Sequence, residues 1–190
     1  MIRALVFDCF GVFYPDPVFT YMRNPHSPPD KAEKLHSYDE QAARGQLTKS
    51  EFIKNAALLL DKTEKETESQ FFQRHNNNDQ LVDFIKKARN KYKTALLSNI
   101  GGDMMDGFFT QTERKELFDV VIFSGNETFA KPDKEFFALA CKRLGISPYE
   151  AIMIDDLQHN CDAAKSIGMQ AICYKDFKQF QKELNTLLHN

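Results

Sequence analysis

Five short apolar runs constrain this chain more than any other feature: ALVFD at 4–8, TALLS at 94–98, VVIFS at 120–124, AIMID at 151–155 and QAICY at 170–174. Each is continuous rather than alternating and is bounded by polar residues or glycine, the pattern of strands buried on both faces. Segments with helical spacing lie between them. Phe136, Phe137, Ala140, Cys141 and Leu144 follow the start signal Pro132-Asp133 and stop at Gly145, and a second helix runs from about Asn160 to Ile167 with Gly168 at its end. The alternation predicts an α/β fold: a Rossmann-like parallel sheet of about five strands with helices on both faces.

One interval breaks the alternation. Between position 8 and position 94 there is no convincing strand, but Thr48 to Glu51 and Thr63 to Glu66 each read as a capping box. Phe52, Ala56, Leu59 and Leu60 fall on one face of the helix between them. PHSPPD at 25–30 reads as the loop leading in, and Asn76, Asn77 and Asn78 as the return before a helix carrying Leu81, Val82, Phe84, Ile85 and Ala88. The expected organisation is a Rossmann-like core over 1–14 and 80–190, with a small helical cap inserted over 15–79.

Composition narrows the function classes. Lys+Arg 25 against Asp+Glu 27 leaves a net charge of −2, so neither nucleic acid nor a membrane surface is an expected partner. The apolar run of the first ten residues ends at Asp8, too early for a signal peptide or a bilayer span, and a cytoplasmic location is expected. Cys9, Cys141, Cys161 and Cys173 form no CxxC pair and are read as reduced, buried small hydrophobes. The five histidines show no ligand spacing. Oligomeric state is not readable.

Parallel sheets of this kind bind ligands at the carboxyl ends of their strands. There the chain places Asp8, Ser98-Asn99, Lys131 in the loop beyond the third strand, and Asp155-Asp156 followed by Asn160. Three carboxylates in one crevice repel one another unless they share a cation, and a hard, oxygen-ligated ion such as Mg²⁺ meets that need. Such a site suits phosphate: Lys131 would offset phosphoryl charge, while the Ser98 hydroxyl and the Asn99 amide or nearby backbone N–H groups would donate to its oxygens. A strand-end carboxylate can act as nucleophile and form an acyl phosphate, and Asp8 is the candidate. As a charged loop residue, Lys131 is expected to be dispensable for folding. Ser98-Asn99 could cap a following helix, alone or while binding phosphate, and His159, nearest the acidic loop, reads as a surface residue.

VFDCFGVFY, LLSN, AKPD and MIDDLQHNCDAAKSIGM, together with AARGQLTKSEF in the inserted stretch, resemble the motifs of the haloacid dehalogenase-like hydrolase superfamily. The resemblance is to the branch whose helical cap follows the first strand, which includes sugar phosphate phosphatases and the phosphatase domain of epoxide hydrolases. It implies Asp8 as nucleophile, Ser98, Asn99 and Lys131 as phosphate clamp, and Mg²⁺ on the Asp8 carboxylate, the Phe10 backbone carbonyl and Asp156. Asp155 would be a second-shell or water-mediated ligand, and Asn160 a helix-start group steadying the acidic loop. The implied function is a Mg²⁺-dependent phosphatase, a phosphoric monoester hydrolase acting on a small phosphorylated metabolite through an aspartyl-phosphate.

One position departs from that pattern. Phosphatases of the family usually carry a general-acid Asp two residues after the nucleophile, and Phe10 stands there. Proton transfer of this kind contributes about 10² to 10⁴ in rate, so the loss should fall on poor leaving groups. Two alternatives accompany the phosphatase reading. One is a metal-independent 2-haloacid dehalogenase, against which the Asp155-Asp156 pair argues because uncompensated carboxylates would oppose an anionic haloacid. The other is a catalytically weak member that binds a phosphometabolite or a protein partner.

Overall fold

The computed structural model describes residues 1–74 and 78–189. Its five strands, β1 Ala4–Phe7, β2 Lys93–Ser98, β3 Val120–Phe123, β4 Ala151–Asp155 and β5 Gln170–Cys173, lie within one residue of the five apolar runs. They form one parallel sheet in the order β3-β2-β1-β4-β5. The chain is therefore an α/β protein of Rossmann type.

Nine helices complete the described chain: α1 Pro17–Arg23, α2 Pro29–Ala43, α3 Lys49–Leu60, α4 Glu64–Phe72, α5 Asp79–Ala88, α6 Gln111–Leu117, α7 Lys134–Leu144, α8 Gln158–Ser166 and α9 Phe177–His189. Side-chain alternation along the strands divides the core in two. Leu5, Phe7, Leu96, Ile154 and Ile172 share one cluster with Leu81 and Ile85 of α5 and Phe180 of α9. Val6, Ala95, Leu97, Ile122 and Met153 share the other with Phe136 and Phe137 of α7 and Ala164 of α8. With apolar layers on both faces, the strand interiors must be apolar and polar residues are left to the strand ends, which is why the runs do not alternate.

Both expected capping boxes are present, at the starts of α3 and α4. Two helices in the inserted stretch bracket the loop expected at 25–30. The first, α1, was not anticipated, although Asp16 accepts from the Phe19 N–H and Pro17 follows it, a helix-start pair. The helix beginning near Pro29 claims the end of that loop. The return expected at Asn76–Asn78 falls partly outside the described residues. Asn78 caps α5, and its backbone and side-chain N–H groups donate to the carbonyls of Phe13 and Val12 (3.2 and 2.9 Å), so the two connections to the inserted helices lie side by side.

The end of α2 is seated on the sheet's loops. A Cβ at Gly125 would lie 2.8 Å from the Gly101 Cα and 3.2 Å from the Ala42 carbonyl, and the Ser124 hydroxyl donates to the Ala43 carbonyl. This contact holds the C-terminal half of α2 above the carboxyl edge of the sheet. All four cysteines are free thiols; Cys9, Cys141 and Cys161 are buried as expected, but Cys173, on an edge strand, is only half-buried. Among the described residues no helix is long and apolar enough to cross a membrane.

Candidate active site

Strand register brings the carboxylates together. Phe7 pairs with Leu96 and with Ile154, and the Asp8 N–H donates to the Ile154 carbonyl (2.9 Å), so Asp8 and Asp155 leave neighbouring strands at the same level. The chain then turns sharply: Gly11, at φ +76°, donates to the Tyr14 carbonyl (2.7 Å). Ligand atoms of Asp8, Asp155 and Asp156 all lie within 4.8 Å of one another.

Lys131 sits among them. Its Nζ lies 2.6 Å from Asp8 Oδ1 and 2.8 Å from Asp155 Oδ2, and the residue is only 6% exposed. The expectation that Lys131 is dispensable for folding meets a different picture here: its charge is buried and paired with two carboxylates. Asn99 holds it in place, because its amide donates to the Lys131 carbonyl and accepts from the Lys131 N–H, both at 2.8 Å. The Asn99 side chain is thus committed to the lysine loop. No helix starts at Ser98-Asn99, so the capping reading fails; Ser98 is fully buried and its hydroxyl has no hydrogen-bond partner.

The three carboxylates differ in what holds them. Asp155 is saturated: besides Lys131, its Oδ1 accepts from the Leu157 N–H (3.0 Å) and from the Asn160 amide (2.9 Å). Burial works to raise its pKa, but Lys131 and these donors hold it below the ordinary value. Asp8 accepts from the Cys9 N–H (2.6 Å) and from Lys131, yet burial raises its pKa well above the ordinary value, with Asp155 and Asp156 adding repulsion. Asp156 is partly exposed and raised by burial and by Asp155. Three carboxylates against one ammonium leave a negative excess, and the oxygen-only donor set fits a hard divalent cation.

The backbone makes room for that arrangement. A Cβ at Gly11 would meet the Asp156 carboxylate at 2.1 Å, and its positive φ disfavours any other residue. Gly11→Ala should therefore cost about 1–3 kcal/mol and lower the Tm by several degrees. Thermal melting checks this; an unchanged Tm would show that Asp156 moves aside without cost.

A cleft of about 320 Å³ opens over the cluster. From the sheet side come Asp8, Phe10, Asn99, Lys131, Asp156 and Asn160; from the inserted helices and the loop before them come Asp16, Phe19, Arg23, His36, Asp39 and Glu40. The second set was missed by sequence reasoning, and His36 had been passed over with the other histidines. Phe10 lies half-buried with its ring edge-on to Phe108 at 4.8 Å, and no carboxyl occupies that place. Ser98 does not line the cleft, and His159 is exposed, as expected. Asn160 also lines the cleft and steadies Asp155 through its amide, while its own Oδ1 is buried without a partner.

A family model describing haloacid dehalogenase-like hydrolases matches residues 2–168. The chain belongs to that family. The residues matched include every polar strand end described above. Among relatives, Acyl-CoA dehydrogenase family member 10 of Mus musculus is 30% identical over 98% of this chain, which corresponds to 19% of that protein. Phosphorylated carbohydrates phosphatase of Thermotoga maritima is 23% identical over 63% of the chain and 55% of its own length. The hydrolase thus spans about a fifth to about half of these relatives. A HAD family enzyme of Bacteroides thetaiotaomicron, solved in complex with magnesium and inorganic phosphate, superposes with a TM-score of 0.75 at 22% identity, covering 93% of this chain and 96% of that one. That likeness establishes the fold.

Proposed function

We propose that this hydrolase is a Mg²⁺-dependent phosphatase of small phosphorylated metabolites, with Asp8 as nucleophile. The observation that carries the reading is the cluster itself: Asp8 lies on the floor of a cleft, within 4.8 Å of Asp155 and Asp156, with its Oδ1 held by the Cys9 N–H and Lys131. Those two donors orient the carboxylate and leave its Oδ2 free of any protein partner among the described residues. Asp8, the Phe10 carbonyl and Asp156 would hold the cation, Asp155 lying behind them in its bonds to Lys131, Asn160 and Leu157. When bound, Mg²⁺ supplies charge neutralisation for the incoming phosphate and the developing transition state.

The chain's own residues do the rest. Asp8 attacks phosphorus to give an aspartyl-phosphate, which water hydrolyses. Lys131 sits beside the attacked group and balances its charge, and Asn99 fixes Lys131. The helices of 15–79 act as the cap that closes the cleft and meets the leaving group. Relatives that are phosphatases of phosphorylated carbohydrates support a small, polar substrate. The negative excess in the cleft opposes the dehalogenase reading, since an anionic haloacid would face Asp8, Asp155 and Asp156 with Lys131 already paired.

The reading is tested by adding Mg²⁺ and measuring stability and turnover. At about 100 times its Kd the ion should stabilise the fold by about 2.7 kcal/mol, raising the Tm by roughly 5–10 °C. Asp156→Ala should abolish that shift, and p-nitrophenyl phosphate should be hydrolysed only with the metal present. Metal-independent chloride release from 2-chloropropionate would install the dehalogenase in its place. Mg²⁺ and phosphate binding without turnover of any ester would favour the binding protein.

A further inference from the structure

Phosphoryl transfer from an alkyl ester leaves an alkoxide that must be protonated, and the residues around Asp8 offer no proton for it. Lys131 is spent on two carboxylates, Asp155 accepts from three donors, and Phe10 presents a ring. The leaving group must point away from the sheet, toward the inserted helices. Three carboxyls line the cleft on that side: Asp16, Asp39 and Glu40.

They are not equivalent. Asp16 lines the same cleft and recess as Asp39 and burial raises its pKa, but its Oδ1 is tied to the start of α1 by the Phe19 N–H at 2.8 Å, a bond that opposes that rise and leaves the side chain committed to the helix. Glu40 is exposed and faces His36 Nε2 at 3.9 Å. Asp39 is partly buried, has no hydrogen-bond partner among the described residues, and also lines a small apolar recess with Phe10, Phe52, Phe72 and Phe108 that continues from the cleft.

We propose that Asp39 is the proton donor to the leaving oxygen and the acceptor of the proton released by the attacking water. This inference rests on the phosphatase reading above. In the first half-reaction Asp8 forms its bond to phosphorus, the bond from phosphorus to the leaving oxygen breaks, and that oxygen takes the Asp39 proton and departs as the alcohol. In the second, water attacks phosphorus, its proton passes to the Asp39 carboxylate, and the electron pair of the acyl phosphate bond returns to Asp8. Ester and water become alcohol and phosphate, and Asp39 is protonated again.

The surroundings of Asp39 suit the task. The charged and titratable groups on its side of the cleft are Asp16 ahead of α1, Arg23 on α1, and His36 and Glu40 on α2 itself, with Asp8, Lys131 and Asp156 across from it. The recess contributed by α3, α4 and the loop at 99–108 holds only uncharged residues besides Asp16 and Asp39. Burial, then the charges of Asp16 and Glu40, push its pKa up to about 8, so it holds its proton at neutral pH. A catalytic acid of that strength can both give and recover a proton near pH 7.

Steady-state kinetics with Mg²⁺, comparing p-nitrophenyl phosphate with a panel of alkyl esters (β-glycerophosphate, fructose 1-phosphate, glucose 6-phosphate), tests the assignment. Wild-type kcat/KM on the alkyl esters should fall above about pH 8 and stay level on the aryl ester, a measurement that requires no variant to fold. In kcat/KM, which reports only the steps through formation of the aspartyl-phosphate, Asp39→Asn should cost about 10² to 10⁴-fold on the alkyl esters and less than about tenfold on the aryl ester, with Asp39→Glu restoring part of the loss. Because the fold favours the protonated acid, stability present below about pH 4 is lost as pH rises through about 8. Asp39→Asn should therefore melt above wild type at pH 9 and level with it at pH 4. An equal loss of kcat/KM on both ester classes, no loss on either, or a wild-type enzyme that turns over the aryl ester alone overturns the role of Asp39 and leaves the phosphatase reading standing. Absence of any Asp8-dependent turnover removes both.

Discussion

Asp8→Asn should abolish Mg²⁺-dependent turnover of p-nitrophenyl phosphate, with a loss of about 10⁴-fold or more, because an amide cannot attack phosphorus and no other side chain in the cleft is placed to replace it. The variant should nevertheless fold. Asparagine keeps an oxygen for the Cys9 N–H and for Lys131, while one of three mutually repelling carboxylates is removed. In the absence of metal its Tm should therefore equal or exceed that of wild type. Mass spectrometry of wild type quenched during turnover should find the phosphoryl group on Asp8, and the variant should carry none. Turnover that survives the substitution would mean that Asp8 only shapes the site, and the mechanism would need a different nucleophile.

The second large effect concerns stability. Lys131→Met keeps the length of the side chain but removes the charge that faces Asp8 at 2.6 Å and Asp155 at 2.8 Å. Breaking a buried ion pair by removing one partner leaves the other uncompensated and typically costs 3–5 kcal/mol, here about 10 °C in Tm. Stabilisation by Mg²⁺ should be larger in the variant than in wild type, since the cation then supplies the only positive charge in the cluster. Phosphate affinity should fall as well. A variant that melts with wild type in the absence of metal would show that the carboxylates neutralise themselves at no net cost, and would return Lys131 to a role in ligand binding alone.

The fate of Lys131 illustrates where sequence reasoning stops. AKPD marks a lysine in a loop, and a lysine in a loop is ordinarily solvated. Its burial depends on Asn99, thirty-two positions earlier, pinning the loop's backbone, and on Asp155, twenty-four positions later, arriving at the same height on β4. Neither contact has a local signature. The same holds for Asp39: within α2 it is one acidic residue among several polar ones, and nothing in the helix's own pattern distinguishes it from Glu40 beside it. Asp16 was closer to legible, because Asp-Pro ahead of an apolar helix is a start signal, and reading it would have revealed α1.

What the sequence determined by itself is the architecture and the floor of the site. Strands buried on both faces must be written as unbroken apolar runs, and runs ending in Asp, Ser-Asn and Asp-Asp together place several polar groups at one edge of the sheet. Short-range rules also reached the capping boxes of α3 and α4, because a capping box closes within four residues. The tertiary structure alone decided which charges are paired and what forms the roof. The packing of α1 against α2, and the close approach of Gly125 to Gly101 and to the Ala42 carbonyl, carry Arg23, His36, Asp39 and Glu40 over the strand ends. Such placements arise from surfaces meeting across long separations in the chain, where the energy lies in burial and charge pairing that no local spacing encodes.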